Sequence, residues 1–287
     1  MIIQIQIVLY KNALLDVRRA LLAIADSVLP DQTTIVISIG DNSCDSNYHL
    51  KIEDVIGEFS HRLNIKLFPS EVNLGHGQMH NKLYENCEKE IDLLLIVNPD
   101  GYIAPHSISI MLEKFENPNV AAVEARQLPF EHPKMFNLIT GETSWCSGAC
   151  VLLRASVFKD LNGFDPRFFL HGDDVDLSWR IRNLGYELNY QPRAVFYHSK
   201  DIALNGYPEQ SETEKFYGPL GALLIAHKFG LKKGLRLMSD DLMRSTEPLH
   251  KAILREFELL TQHSQCIKVS NAIPEYHHPW KFSENRY

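Results

Sequence analysis

Three carboxylates fall within four residues in the run Phe168-Phe169-Leu170-His171-Gly172-Asp173-Asp174-Val175-Asp176-Leu177-Ser178-Trp179-Arg180. Leu177, Ile181 and Leu184 follow at helical spacing and Gly185 supplies a stop, so the acids stand at the start of a helix. There the free backbone N–H groups and the positive end of the helix dipole favour ionised carboxylates, while adjacent like charges push one pKa back up. A group so placed can take a proton near neutral pH. Taken alone, such a triplet more often supplies a helix cap, from Asp173 or Asp174, with its other members solvated.

Other polar residues sit where strands end. Leu93-Leu94-Leu95-Ile96-Val97 is the most apolar stretch and stops at Asn98-Pro99-Asp100-Gly101. Pro99 ends the ladder and fixes the turn, and a carboxylate there suits a hard divalent cation bridging two phosphates, although the same four residues also make an ordinary turn. His198 follows Ala194 to Tyr197, and a histidine beside Asp100 suits Mn²⁺ or Mg²⁺. Asp41 and Asn42, in the turn Gly40-Asp41-Asn42-Ser43 after Ile35 to Ile39, can bond a base or ribose, or serve the turn alone. Asn73-Leu74-Gly75-His76-Gly77 allows close backbone approach to a ligand, but it is neither a dinucleotide fingerprint nor a Walker loop.

The elements that position these residues alternate. Ile3 to Leu9 reads as a strand, Leu14 to Val28 as a helix, Ile35 to Ile39 as a strand, Ile52 to Phe59 as a helix and Ile65 to Phe68 as a strand. A helix opens at the Asn73 loop and the apolar strand follows. The pattern predicts parallel β-α-β units, with the polar loops after Ile39 and Val97 facing one crevice. Beyond it, Val120 to Ala125, Ala149 to Leu153 and Ala194 to Tyr197 read as strands, with a loop from Arg126 to Ser144, and the chain is mostly helical from Phe216 onward.

The chain has 287 residues, 45% of them hydrophobic and 23% charged, the composition of a globular protein with a sizeable core. A formal net charge of −7 gives no basic footprint for nucleic acid. No apolar run approaches the ~18 residues of a membrane span and Met1-Ile2-Ile3-Gln4 lacks a signal-peptide n-region, so a cytoplasmic location is expected. Five cysteines, Cys44, Cys87, Cys146, Cys150 and Cys266, contain no CxxC pair and are expected as buried free thiols.

The order of these pieces, with Trp145-Cys146-Ser147-Gly148-Ala149, Leu161-Asn162-Gly163-Phe164-Asp165, His171-Gly172-Asp173-Asp174-Val175-Asp176 and Ala194-Val195-Phe196-Tyr197-His198, resembles the GT-A glycosyltransferases of family 2 and their rhamnosyltransferase-like members. The resemblance covers about residues 3 to 200. It implies an α/β GT-A catalytic domain over 1–205, with a Rossmann-like nucleotide-binding part and a mixed central sheet flanked by helices. A mostly helical C-terminal extension over 206–287 lies outside it. The implied reaction is inverting transfer of a sugar, rhamnose among the candidates, from a dTDP- or UDP-sugar to a glycan or lipid-linked acceptor of a cell-surface polysaccharide.

On matching residues, Asp174 is the implied general base and Asp173 its acidic partner, standing where a Glu is commoner. Tyr10, Asp41, Asn42, Asn73, Gly75, Asn81, Asn98 and Asp100 are the nucleotide-sugar set, Trp145, Asp173 and Asp176 the acceptor set, and Asp100 with His198 the ligands of Mn²⁺ or Mg²⁺. Asn98 departs from the family's DxD acid, which leaves the cation to Asp100, His198 and the diphosphate. A nucleotide-sugar-binding protein without turnover is the non-enzymatic alternative. A sugar-1-phosphate nucleotidyltransferase would want a Gly-rich, Arg-containing loop where Tyr10-Lys11-Asn12 stands. The basic-apolar run Lys228 to Leu237 can lie on an anionic membrane surface, although such a run is more often a solvated helix face, and the segment from Phe216 onward is expected to serve attachment, to a second subunit or to a membrane.

Overall fold

A computed structural model describes residues 1–131, 134–199, 211–264 and 266–267; the expected domain division at 205/206 lies outside them. The strands are β1 (Ile2–Leu9), β2 (Thr34–Asp41), β3 (Ile65–Pro69), β4 (Leu93–Val97), β5 (Gly101–Ile103), β6 (Val120–Leu128), β7 (Cys150–Arg154) and β8 (Glu187–His198). The helices are α1 (Leu14–Ala25), α2 (Ser46–Phe59), α3 (Gly75–Glu85), α4 (Ser107–Leu112), α5 (Ala155–Asp160), α6 (Asp173–Asn183), α7 (Glu212–Lys228), α8 (Lys232–Arg244) and α9 (Pro248–Thr261). The strands form one sheet in the order β3-β2-β1-β4-β7-β6-β8-β5. β3, β2, β1 and β4 run parallel, β7 is antiparallel to both β4 and β6, and β5 is antiparallel to β8.

Burial on both faces explains the composition of the central strands. In β1, Ile3, Ile5 and Ile7 pack on one face and Gln4 and Gln6 on the other, all fully buried. A buried amide needs partners, and the Gln4 Nε2 donates to Ser38 Oγ and to Leu83 O, both at 2.9 Å.

Several boundaries differ from the sequence reading. α1 stops at Ala25, leaving Val28 exposed, and α2 starts at Ser46 because Asp45 caps it, accepting from the amides of Asn47 and Tyr48. β6 continues to Leu128, so the connection expected from Arg126 begins later. β8 begins at Glu187, well before Ala194. Pro192 reads as a strand breaker, but it falls where the pairing jumps from Ala125–Gln191 to Arg126–Val195, a bulge that needs no ladder donor. Cys146 and Cys150 are buried free thiols as expected, whereas Cys44 and Cys266 are exposed.

The C-terminal helices belong to the same body. Leu220, Leu223, Leu224 and Ile225 of α7 share a core with Trp145, Phe168, Val175 and Trp179. The run Lys228 to Leu237 is largely used in that packing, since Lys228 and Phe229 are buried and Leu231 and Leu235 pack on the cluster. Leu237, at the end of the run, is exposed. No described helix is long and apolar enough to cross a membrane.

Candidate active site

The carboxyl ends of β1, β2, β4, β6 and β8 lie along one edge of the sheet, and the segment Trp145 to Ala149 enters β7 there. Asn98 N donates to Ala149 O at 2.8 Å, and Cys146 N donates to Ser178 Oγ of α6 at 3.0 Å. This segment thus ties the end of β4 to the acid-bearing helix.

α6 begins where expected. Its N-cap is Gly172, at φ 84°, with no side-chain cap, so neither Asp173 nor Asp174 serves as one. Both acids are buried, at 3% and 8% exposure. Asp174 Oδ2 accepts from Gly148 N at 3.2 Å and its Oδ1 from Val175 N at 2.8 Å. The Asp173 Oδ2 lies 2.6 Å from His76 Nδ1 of α3. Burial works against charging His76, yet the charge and hydrogen bond of Asp173, with Asp174 adding to them, raise its pKa.

Asp176 is not part of this face. Three residues on, it is fully buried, pairing through Oδ2 with Arg180 at 2.8 Å and through Oδ1 with Lys228 of α7 at 2.5 Å. Lys228 also holds Asp165 at 2.6 Å. Against the cost of burial, Arg167 and Lys228 keep Asp165 well below the usual carboxylate range. The expectation that Asp176 meets an acceptor is therefore corrected: it anchors α7 to α6. Trp145 is buried as well, its ring covered by Lys134 Nζ at 3.9 Å from the centroid, so it stands in the wall rather than in the opening.

The second pair forms at the end of β8. Gly101 pairs with His198 across β5 and β8, which sets Asp100 beside the imidazole with Oδ1 3.1 Å from Nε2. The Asp100 side chain is 39% exposed and that of His198 7%. His198 Nδ1 lies 3.0 Å from Gln127 Oε1, while Gln127 Nε2 faces Glu124 Oε1 at 3.4 Å. Gln127 thus presents an acceptor to Nδ1, which leaves the neutral imidazole with its Nε2 lone pair directed at a carboxylate. Two facing acceptors want a cation or a proton between them, so this donor set fits a hard divalent ion. Among the described residues no group of three or more His, Cys, Asp or Glu could hold one. A cation here would take the rest of its shell from a ligand or water.

The two pairs are joined. The buried Glu124 carboxylate accepts from Ser147 N at 2.8 Å and pairs with Lys134, and the next amide, Gly148 N, reaches Asp174. A polar path thus runs from His198 through Gln127 and Glu124 to the Ser147-Gly148 turn and Asp174. Glu124, Gln127, Lys134 and His80 were missed by sequence reasoning. A lone acid in the apolar strand Val120-Ala121-Ala122-Val123-Glu124-Ala125 was the available signal; Lys134 gave none.

The remaining predicted residues spread along the same edge. Tyr10 is exposed just after β1. Asp41, at the end of β2, uses Oδ1 to accept from Ser43 N at 2.8 Å and Oδ2 to meet His49 Nδ1 at 3.2 Å. Asn42 donates to Gly75 O at 2.8 Å, and Asn73 Oδ1 accepts from Gly75 N at 2.9 Å. Asn81 brackets Phe164, donating to its carbonyl and accepting from its amide, both at 2.8 Å. These amides hold loops together. Gly75, at φ +75°, lies where a Cβ would stand 2.2 Å from Phe169 O, so its role is a close crossing of two loops. A cavity of about 720 Å³ between α1 and β5 meets the predicted set only at Asp100 and His198.

This mixed sheet with acids at its carboxyl edge is the GT-A glycosyltransferase fold. Over 99% of this chain and 85% of that one, it matches the mannosyltransferase PcManGT from Pyrobaculum calidifontis in complex with GDP-Man and Mn²⁺, with a TM-score of 0.60 at 12% identity. Residues 131–214 match the family model described as "Glycosyltransferase like family 2". It is 26% identical over 182 residues to the N-acetylglucosaminyl-diphospho-decaprenol L-rhamnosyltransferase of Mycobacterium tuberculosis, which covers 48% of this chain and 59% of that one. It is 27% identical over 175 residues to the O-antigen chain rhamnosyltransferase WbaN of Salmonella anatum, 53% of each. The chain spans little more than half the length of these relatives.

Proposed function

We propose that the protein is an inverting glycosyltransferase that moves a sugar, rhamnose first among candidates, from a dTDP- or UDP-linked donor to a hydroxyl of a glycan or lipid-linked acceptor. One observation carries this reading. The Asp100–His198 pair and the buried Asp173–Asp174 pair stand on one sheet edge, joined through Glu124 and the Ser147-Gly148 turn. The rhamnosyl transfer named for both relatives, one of them acting on a diphospho-decaprenol, favours the choice of sugar and acceptor.

Asp100 and His198 would hold Mn²⁺ or Mg²⁺, whose charge supports departure of a diphosphate when bound. Asp174, at the positive end of α6, would accept the proton of the attacking hydroxyl. A single displacement inverts the anomeric carbon, and no protein nucleophile is required.

The test is a panel of dTDP-, UDP- and GDP-sugars with Mn²⁺, read first as a rise in melting temperature and then as sugar transfer by the wild type and Asp174→Asn. One donor should be selected, and Asp174→Asn should bind it while turnover falls by about 10²–10⁴. Transfer by Asp174→Asn within tenfold of wild type would remove Asp174 as the base, and donor binding without turnover in the wild type would favour a nucleotide-sugar-binding protein.

A further inference from the structure

The helix α8 has two unlike sides. Gly234 and Leu242 are buried, and Leu235 and Met238 pack on the cluster that also holds Val175 and Trp179 of α6. Those positions recur at three- and four-residue spacing, so the opposite side of the helix faces solvent. It carries Lys232, Lys233, Arg236 and Arg244, all exposed, with Leu237 48% and Met243 61% exposed among them. Asp240 and Asp241 are the acids of the same helix, and Asp240 stands 4.0 Å from Arg236. Among the described residues no carboxylate forms an ion pair with Lys232, Lys233 or Arg244.

Four cations against two carboxylates give α8 an excess of positive charge, on a chain whose formal net charge is −7. Its complement is therefore an anionic partner. A second copy is a poor one, because a two-fold contact lays the same patch on itself, cation against cation. The two aliphatic side chains among the cations narrow the choice further. They cover little of the about 800 Å² that each partner buries in a stable protein interface, but they are long enough to enter the boundary between headgroups and acyl chains. An anionic bilayer surface takes the cations at its headgroups and the ends of Leu237 and Met243 just below them.

Resting on the proposed function, we propose that the outward face of α8 docks the protein on an anionic membrane surface, beside its lipid-linked acceptor. α8 packs on α7, and α7 crosses the start of α6 at Gly221 and Gly172. A bilayer along α8 thus lies about two helix layers from the acid-bearing helix.

The test is co-sedimentation of the full chain with phosphatidylcholine vesicles, with and without phosphatidylglycerol. The wild type should bind only the vesicles that contain phosphatidylglycerol, and should be released as salt rises from about 0.1 M to about 1 M, where screening shortens to about 3 Å. Lys233→Gln/Arg236→Gln/Arg244→Gln should weaken binding by at least about tenfold and Leu237→Gln/Met243→Gln by at least about threefold, both with an unchanged melting temperature. Exposed lysines on α2, after α3 and on α5 give the control: Lys51→Gln/Lys89→Gln/Lys159→Gln removes the same charge and should bind as the wild type does. No binding by the wild type, binding by the triple α8 variant within about threefold of wild type, or an equal loss in the control overturns the proposal. So does a dimer in light scattering that the triple α8 variant dissociates, which makes the face a subunit contact. If the wild type transfers no sugar from any donor, it is the proposed function that fails, while vesicle binding still decides the docking face. Should the triple α8 variant not fold, Lys232→Gln/Lys233→Gln and Leu237→Gln/Met243→Gln carry the test.

Discussion

Gly221 of α7 rests against Gly172, the residue that opens α6: a Cβ on Gly172 would meet Gly221 Cα at 3.3 Å, and a Cβ on Gly221 would stand 2.5 Å from His171 O. Two backbones therefore touch directly beneath the acidic pair. Gly221→Val should force α7 off this crossing and destabilise the fold by about 1–3 kcal/mol. For a chain of this size that is a fall in melting temperature of about 2–4 °C per kcal/mol. An unchanged melting temperature would show that α7 is free to shift.

Lys228→Met should cost more. It takes from Asp165 and the buried Asp176 the ammonium they share and leaves each with one arginine, Arg167 and Arg180, a loss of up to about 3–5 kcal/mol. Denaturant unfolding checks this. Adding Asp176→Asn to Lys228→Met should recover part of the loss, because one of the two acids that shared the ammonium is then neutral.

The two histidines of α3, His76 and His80, have opposite effects on stability with pH. His80 has a lowered folded pKa, so its unfolded form binds a proton near pH 6.5 while the folded form does not, and stability falls as pH drops below about 6.5. His76 is raised, so its contribution is full below about 6.5 and fades as pH rises through its folded value. Hence His80→Gln should flatten the acid-side loss by up to about 1.4 kcal/mol per pH unit, and His76→Gln should change the slope only above pH 6.5. Urea midpoints from pH 5 to 8 separate the two.

Gln127→Leu should weaken cation-dependent donor binding by about 10–100-fold, because the amide that fixes the His198 tautomer is lost. Titration with EDTA present should give the same affinity for variant and wild type. A uniform loss in both conditions would mean that Gln127 only supports the fold.

The alternating elements of the first half, the start of α6 and the adjacency of Asp100 and His198 were legible because each follows from a local rule or a motif order. Strand β4 is a bare apolar run, and Gly185 stops a helix whose acids crowd its first turn. What was not legible depends on pairing at a distance. Gln4 and Gln6 alternate with isoleucines as a half-solvated strand would, yet both are buried under α3. Glu124 lay hidden in an apolar strand, and its partner Lys134 comes from a loop with no pattern. Asp176 shares its run with Asp173 and Asp174, but the helical turn rotates it to the other side, where Arg180 one turn on and Lys228 of α7 meet it. β8 begins well before Ala194, and only the register with β6 reveals the bulge that lets Pro192 lie inside it.

The ion cluster of Lys228 limits how this chain can be recombined. A chimera that exchanges the part after the sheet would treat α7 to α9 as a cassette. Here the seam would cut an electrostatic bond rather than a linker. A transplanted α7 would have to bring a cation to position 228 and a residue no larger than glycine to 221, or the donor half would arrive with Arg180 as the remaining partner of Asp176 and its acidic helix displaced.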